Sequence, residues 1–261
     1  MNNIISVPWP IPPEATIPEP LQTIVLSLAA IGAATILVFG VIMAFKRRSA
    51  VPVLMVLGGF TSIMMETVVT YLGHAIHPVS GQIMLFEMAG RAIPWHIALG
   101  YMAGFGLFYL CLYPAFVEGR LQSQQIWMTC LITAACYFVG EAYPVSHGLW
   151  IYYDYQPMWL WHGTAPLTWN FLNACCMMVS ATVIFVALPY LKTLPSQLLI
   201  LLLAPAGAYM GHMGAGFPMY NAMNSTLPHW VIEVSGALSI FLALVIIWLC
   251  SVVLQSAQKR N

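Results

Sequence analysis

Charged side chains are scarce in this sequence: Asp, Glu, Lys and Arg make up 6% of its 261 residues, where a soluble domain carries about 25%. That scarcity, with 61% hydrophobic residues and a mean hydropathy of +0.83, excludes a water-soluble globule and predicts an all-α, multi-pass membrane bundle. The charges also balance, eight basic against eight acidic, so no nucleic-acid partner is expected. Cysteine is sparse as well. All six (Cys111, Cys130, Cys136, Cys175, Cys176 and Cys250) fall inside apolar runs, which argues against a disulfide framework or a CxxC metal site, and the adjacent Cys175 and Cys176 read as small packing residues. No GxSxG, GxGxxG or phosphate loop occurs in a suitable setting, and neither HExxH nor a dense histidine box is present. The last apolar run has no lysine, which excludes a retinal-type pigment.

What is present is a series of apolar runs at about 21–45, 51–73, 93–117, 125–143, 165–190, 196–213 and 228–254. Each is long enough to cross a bilayer or nearly so, since a span takes roughly 20 residues. They form one seven-helix domain (21–256), after a Pro-rich lead (1–20) and before a short basic tail (257–261). The lead lacks a basic n-region and contains six prolines, so no cleavable signal peptide is expected. Lys46, Arg47, Arg48, Arg120, Lys192, Lys259 and Arg260 share one side of the membrane, and Arg91 lies on the other. By the positive-inside rule the N-terminus is outside and the C-terminus cytoplasmic, in a bacterial inner membrane.

Counting residues along each run places the polar groups at matching depth. Glu66, Glu141 and His212 fall in the outer parts of outward-running helices, and His96, Asn170, Asn173, His229 and Glu233 near the starts of inward-running ones. The inner halves, such as 104–117, 177–190 and 238–250, are almost entirely apolar. An ion pathway would carry polar groups through both leaflets, so this one-sided layer reads instead as a site. The acids Glu66, Glu141 and Glu233 are its catalytic candidates; Glu233 and His229, at i and i+4, could also simply pair with each other. Arg91, set against the positive-inside bias, is expected to partner Glu66 or Glu141. Asp154 joins this inventory from the adjoining loop.

The loops on that side are long and rich in His, Gly and aromatics. Trp150, Tyr152, Tyr153, Tyr155, Trp159 and Trp161 suit either an interfacial belt or a lid over a cavity, and both readings stay open. A faint repeat links GRAIPWHIALGYM (90–102), GTAPLTWNFLNACC (163–176) and LPHWVIEVSGA (227–237): each opens a helix with a proline followed by Trp. All seven histidines also gather on this side, and imidazole suits zinc, copper or iron. His74 and His77 would be the first ligands, yet interfacial histidine beside Trp and Tyr is common, and no metal is assigned.

A carboxyl in apolar surroundings can stay protonated near neutrality and act as a general acid. That chemistry suits ring closure of a lipophilic substrate without a cofactor. An isoprenoid cyclase or hydratase, or a lipophile binder or transporter, would use the same layer. The oligomeric state is left open.

The stretches GGFTSIMMETVVTYLGHAIHP...FEMAGRAIPWHIALGY and GEAYPVSHGLWIYYDYQPMWLWHGTAPLTWNFLNA, between about 55 and 175, resemble the avermectin spirocyclase-like (AveC-like) membrane proteins. The shared pattern is a Gly-Gly with an acid in the following turns, Gly-Arg and Ile-Pro before an aromatic helix start, then a second acid, Tyr-Tyr, Gln-Pro and Pro-x-x-Trp-x-x-x-Asn-Ala. The resemblance implies dehydrative closure of a polyketide dihydroxyketone to a spiroketal, with no cofactor. It carries functional roles onto Glu66, Arg91, Glu141, Tyr152, Tyr153, Gln156, Trp169 and Asn173. Glu66-Thr67 stands where the family has Glu-Pro, and His-Ala-Ile-His replaces its aromatic-Tyr-Pro, so the substrate is left open.

Overall fold

The computed structural model describes residues 10–161 and 163–259; His162, Arg260, Asn261 and the first nine residues of the lead lie outside this range. Seven helices are long and apolar enough to span a membrane: α1 (Glu19–Arg47), α2 (Val51–Leu72), α3 (Trp95–Val117), α4 (Ser123–Ser146), α5 (Leu167–Tyr190), α6 (Leu194–Met223) and α7 (His229–Gln258). The protein is an all-α, multi-pass membrane bundle. α2 and α5 are the most buried spans and α1 and α4 the least. α5 packs against α3, α4, α6 and α7, and α2 is wedged between α3 and α6. The wedge closes because a Cβ on Gly58 would lie 2.8 Å from the Ala204 Cβ of α6, and one on Gly59 would lie 2.9 Å from the Phe105 Cβ of α3.

Helix starts follow the proline pattern. Pro94, Pro166 and Pro228 are the N-cap residues of α3, α5 and α7, each with an extended ψ (155°, 143° and 153°). Proline just ahead of the first turn removes an N–H that has no helical partner there. α4 begins instead at a capping box, with the Gln122 amide N–H donating to Gln125 Oε1 at 3.0 Å. Since α2, α4 and α6 finish where α3, α5 and α7 start, one end of the bundle carries the longer loops and is called the loop end below.

α4 and α6 run through prolines past the ends that hydropathy predicts. α4 reaches Ser146 through Pro144, and α6 reaches Met223 through Pro218. The Gly, His and Pro of GHMGAGFPM suggest a loop, but Gly211, His212, Ala215 and Gly216 are buried on the helix. Near the Pro218 interruption, Ser239 Oγ of α7 accepts from the Met219 N–H at 3.2 Å. A neighbouring helix thereby satisfies backbone groups that a membrane proline frees.

The loops contain two short antiparallel ladders that sequence periodicity does not reveal. β1 (Ala75–Ile76) pairs with β4 (Ile151–Tyr152), tying the α2–α3 loop to the α4–α5 loop. β2 (Met84–Met88) and β3 (Arg91–Pro94) form a hairpin around Ala89 and Gly90, whose φ values of 53° and 69° suit a tight primed turn. The lead joins this cap: Thr16 bridges to Ser80, and Ile17 is buried.

Candidate functional site: two carboxyls in a lipid-side cavity

A cavity of about 600 Å³ lies toward the loop end, walled by α1, α2, α3, α4 and α5 and capped by the two linked loops. This size matches a small-molecule pocket. Its walls are mostly apolar, among them Ile24, Val25 and Leu28 of α1 and Ile97 and Phe105 of α3. Glu66, Glu141, His96, Tyr152, Trp169 and Asn173 line it together. Of the catalytic and substrate-binding candidates read from the sequence, these six converge.

Glu66 follows a 3₁₀ turn (Ser62–Met65) that interrupts α2. A tightened turn inside a helix redirects the side chains after it. Glu66 is 8% exposed, and both its oxygens are engaged. His77 Nε2 lies 2.9 Å from Oε1, and the Tyr101 hydroxyl donates to Oε2 at 2.5 Å. Glu141, on α4, accepts a hydrogen bond from Tyr152 at 3.1 Å. Both carboxyls line the same cavity. His96 is buried beside Trp150, with ring centroids 6.4 Å apart, and neither ring nitrogen has a hydrogen-bond partner among the described residues. A buried polar group without a partner is costly. A polar group on a ligand would supply one.

The remaining candidates serve elsewhere. Arg91 reaches neither Glu66 nor Glu141; it donates to the Tyr153 hydroxyl at 2.6 Å and lies over the rings of Tyr71 and Tyr153. The β2–β3 hairpin turns it toward the loop cap, where aromatic faces replace the expected carboxylate partner. Glu233 does not join the other acids, nor does it pair with His229. It accepts from the Tyr155 hydroxyl at 2.7 Å and the Met158 N–H at 3.0 Å, pinning the α4–α5 loop, while exposed His229 stacks on Tyr155. Asp154 is exposed and faces His74 Nδ1 at 3.3 Å. Gln156 donates to the carbonyls of Gly73 and Tyr153, both at 3.0 Å, and so locks one loop to the other. Asn170 bonds back to Pro166, and His212 sits edge-on behind Trp169, bonded to Tyr220. Counting depth along a helix cannot tell which way a residue faces, which is why α6 and α7 supply no lining residue. His77 and Tyr101, the hydrogen-bond partners of Glu66, were not among the residues read for acid chemistry. His77 stood out only as a candidate metal ligand, in a loop whose path the sequence does not give.

The aromatic loop divides between its two expected uses: Trp150 and Tyr152 face the cavity, whereas Trp161 is 70% exposed. The Glu233 ties predict a simple outcome. Glu233→Gln weakens a charge-assisted anchor worth about 1.5–3 kcal/mol when buried, less here because Glu233 is only half-buried. Limited proteolysis should cut the α4–α5 loop faster, while thermal stability of the bundle changes little.

His74 and His77 turn to different partners, His74 Nε2 lying 3.0 Å from Asn224 Oδ1. Among the described residues no group of three His, Cys, Asp or Glu side chains is arranged to hold a metal ion. Burial lowers the His74 pKa from its usual 6.5, and the nearby Arg91 charge adds to this, against the opposing pull of Asn224 and Asp154. The sign follows from linkage: His74 is preferentially neutral in the fold, so its contribution to stability is present above pH about 6.5 and lost as pH falls through the lowered value. Protection factors for hydrogen exchange at β1 and β4, taken against the intrinsic rate at each pH, should therefore fall at mildly acidic pH, and His74→Gln should flatten that dependence.

The cavity is open on one flank. Gly100 of α3, Cys136 and Gly140 of α4, and Ile24 and Leu28 of α1 line it and are also exposed. A Cβ on Gly100 or Gly140 would meet nothing within 4 Å. These residues sit within membrane spans, so the opening faces hydrocarbon rather than water. No family model, curated protein or solved structure matches this chain.

Proposed function

We propose that this protein is an integral membrane cyclase that closes a ring on a lipophilic, polyketide-like substrate by acid/base catalysis, as a dehydrative spiroketal-type closure or an isomerisation without a cofactor. The observation that supports it best is the placing of two carboxyls from different helices, Glu66 and Glu141, in one apolar cavity. The resemblance of residues 55–175 to AveC-like proteins points the same way. The bundle would sit in a bacterial inner membrane with its loop end outside, in keeping with the distribution of Lys and Arg.

Roles follow from the hydrogen bonds. Glu66, with a donor on each oxygen, is arranged as the carboxylate that takes a proton from the attacking hydroxyl. Glu141, which accepts from Tyr152 and lines the same cavity as Glu66, is assigned the proton delivered to the ketone or hemiketal oxygen. On the hemiketal, Glu141 gives its proton to the hydroxyl, whose C–O bond breaks to release water and leave an oxocarbenium carbon. The second hydroxyl adds to that carbon, forming the closing C–O bond, as the Glu66 carboxylate takes its proton. His96 and Asn173 are placed to orient substrate oxygens, and Trp150 and Tyr152 exclude bulk water. The substrate enters from the bilayer, between α1, α3 and α4.

The apolar wall also suits an isoprenoid protonated by the same acid, and a binder or transporter would hold a lipophile there without turnover. Cells expressing wild type or Glu66→Gln at matched membrane levels, fed lipid extract and compared by untargeted mass spectrometry, separate these readings. A species with one water lost, or an isomer of equal mass, that requires wild type and has a polyketide skeleton supports the proposal. An isoprenoid product, or none from folded protein, overturns it.

A further inference from the structure

A second cavity, of about 630 Å³, lies at the loop end, beside the lead and the β2–β3 hairpin. Glu14, Thr16, Ser80 and Gly90 line it and are exposed, so it opens outward from the bundle end rather than into hydrocarbon. His77 lines this pocket and the first cavity alike. Its Nε2 contacts Glu66 Oε1, while its Nδ1 is buried with no hydrogen-bond partner among the described residues.

We infer that His77 is a proton relay connecting Glu66 with the pocket at the loop end. An imidazole is suited to this because it accepts a proton on one nitrogen while releasing another from the opposite side. Inward, a proton from water in the outer pocket binds Nδ1, and the Nε2 proton passes to Glu66 Oε1. Outward, Glu66 returns a proton to Nε2 and the one on Nδ1 leaves to water; one proton enters and one departs at each step, and no electrons move.

Other titratable groups surround the pair. Tyr101 donates to Glu66 from α3, His96 of α3 and Glu141 of α4 line the first cavity with it, His212 of α6 lies behind Trp169, and Arg91 and Glu14 line the second pocket. None of these lines both spaces. The flank between α1, α3 and α4 faces hydrocarbon, a poor source of protons, so His77 is the polar link between the buried carboxyl and water. The relay gives the proposed base a means of resetting, yet it stands on the two cavities and does not need the cyclase reading to be right.

The test needs no substrate. Purified full-length protein in lipid nanodiscs is driven by a rapid acid jump, and protonation of Glu66 is followed by time-resolved infrared spectroscopy, its band assigned as the one missing in Glu66→Gln. His77→Gln keeps an N–H donor for Glu66 but cannot relay, and retention of the Glu66 carboxylate frequency before the jump verifies that the contact survives. The expected result is protonation slower than wild type by about a hundredfold, within the range typical of a positioned acid/base group. In His77→Ala, free imidazole in the buffer should restore the wild-type rate. Wild-type kinetics in His77→Gln, or a His77→Ala protein that stays slow at saturating imidazole, would overturn the relay. Failure to find a cyclised product would leave this result unaffected.

Discussion

Glu66→Gln should retain the fold and lose roughly 10²–10⁴-fold in product formation, the range for removing a positioned acid or base. The amide occupies the same volume and still offers an oxygen to one of its two donors, His77 and Tyr101. What it cannot do is take up a proton. Glu141→Gln should cost a loss of similar size, since the reaction needs a group to receive a proton and another to give one. If the two act as a unit, the double variant is hardly worse than either single variant, because activities of coupled catalytic groups are not additive. Rates measured in membranes matched for folded protein test both points. Glu233→Gln supplies the contrast: another acid near the loop end, engaged with Tyr155 and the loop backbone, whose substitution should leave a much smaller effect on turnover.

The largest effect on stability is expected at the contact between α5 and α6. Gly207 and Gly211, spaced as GxxxG in GAYMG, let the two backbones approach closely. A Cβ on Gly207 would stand 2.6 Å from the Ser180 Cα, and one on Gly211 would stand 2.7 Å from the Cys176 Cα. Both obstacles are backbone atoms, which cannot swing aside as a side-chain end can. Ser180 adds to the seam by donating to the Ala204 carbonyl at 2.7 Å. Gly211→Leu should destabilise the bundle on the order of 3 kcal/mol through overpacking. It should also reduce activity, since α5 carries Trp169 and Asn173 into the cavity. Gly214→Leu is the control, because a Cβ there meets nothing within 4 Å. Unfolding in mixed detergent micelles would show the difference between the two variants.

The chain's hydrophobic runs and few charges were enough to read the seven spans and the gathering of polar groups toward one end. The facing of those groups was not legible. In a soluble helix a polar stripe marks the side turned to solvent, whereas a membrane helix is apolar all round and leaves no such mark. Glu66 and Glu233 therefore look alike in sequence, although one lines the cavity and the other anchors a loop. Arg91 was expected beside a carboxylate because charge was the property considered. Its actual partners are aromatic rings, brought to it by a hairpin whose turn at Ala89 and Gly90 carries little hydrophobic patterning. The packing role read for Cys175 and Cys176 agrees with their burial at the α5–α6 seam, where Gly211 meets both residues. His77 depended on β1 meeting β4, a pairing of two residues on each side that no local pattern announces.

The most direct test of acid/base ring closure uses the purified full-length chain in nanodiscs with a synthetic long-chain dihydroxyketone and no added cofactor, product being followed by chiral chromatography and mass spectrometry. Wild type should form the spiroketal with one water lost and one stereoisomer in excess, and Glu66→Gln and Glu141→Gln should give background rates. Conversion by wild type no faster than in empty nanodiscs, or equal conversion by the folded variants, would contradict acid/base ring closure.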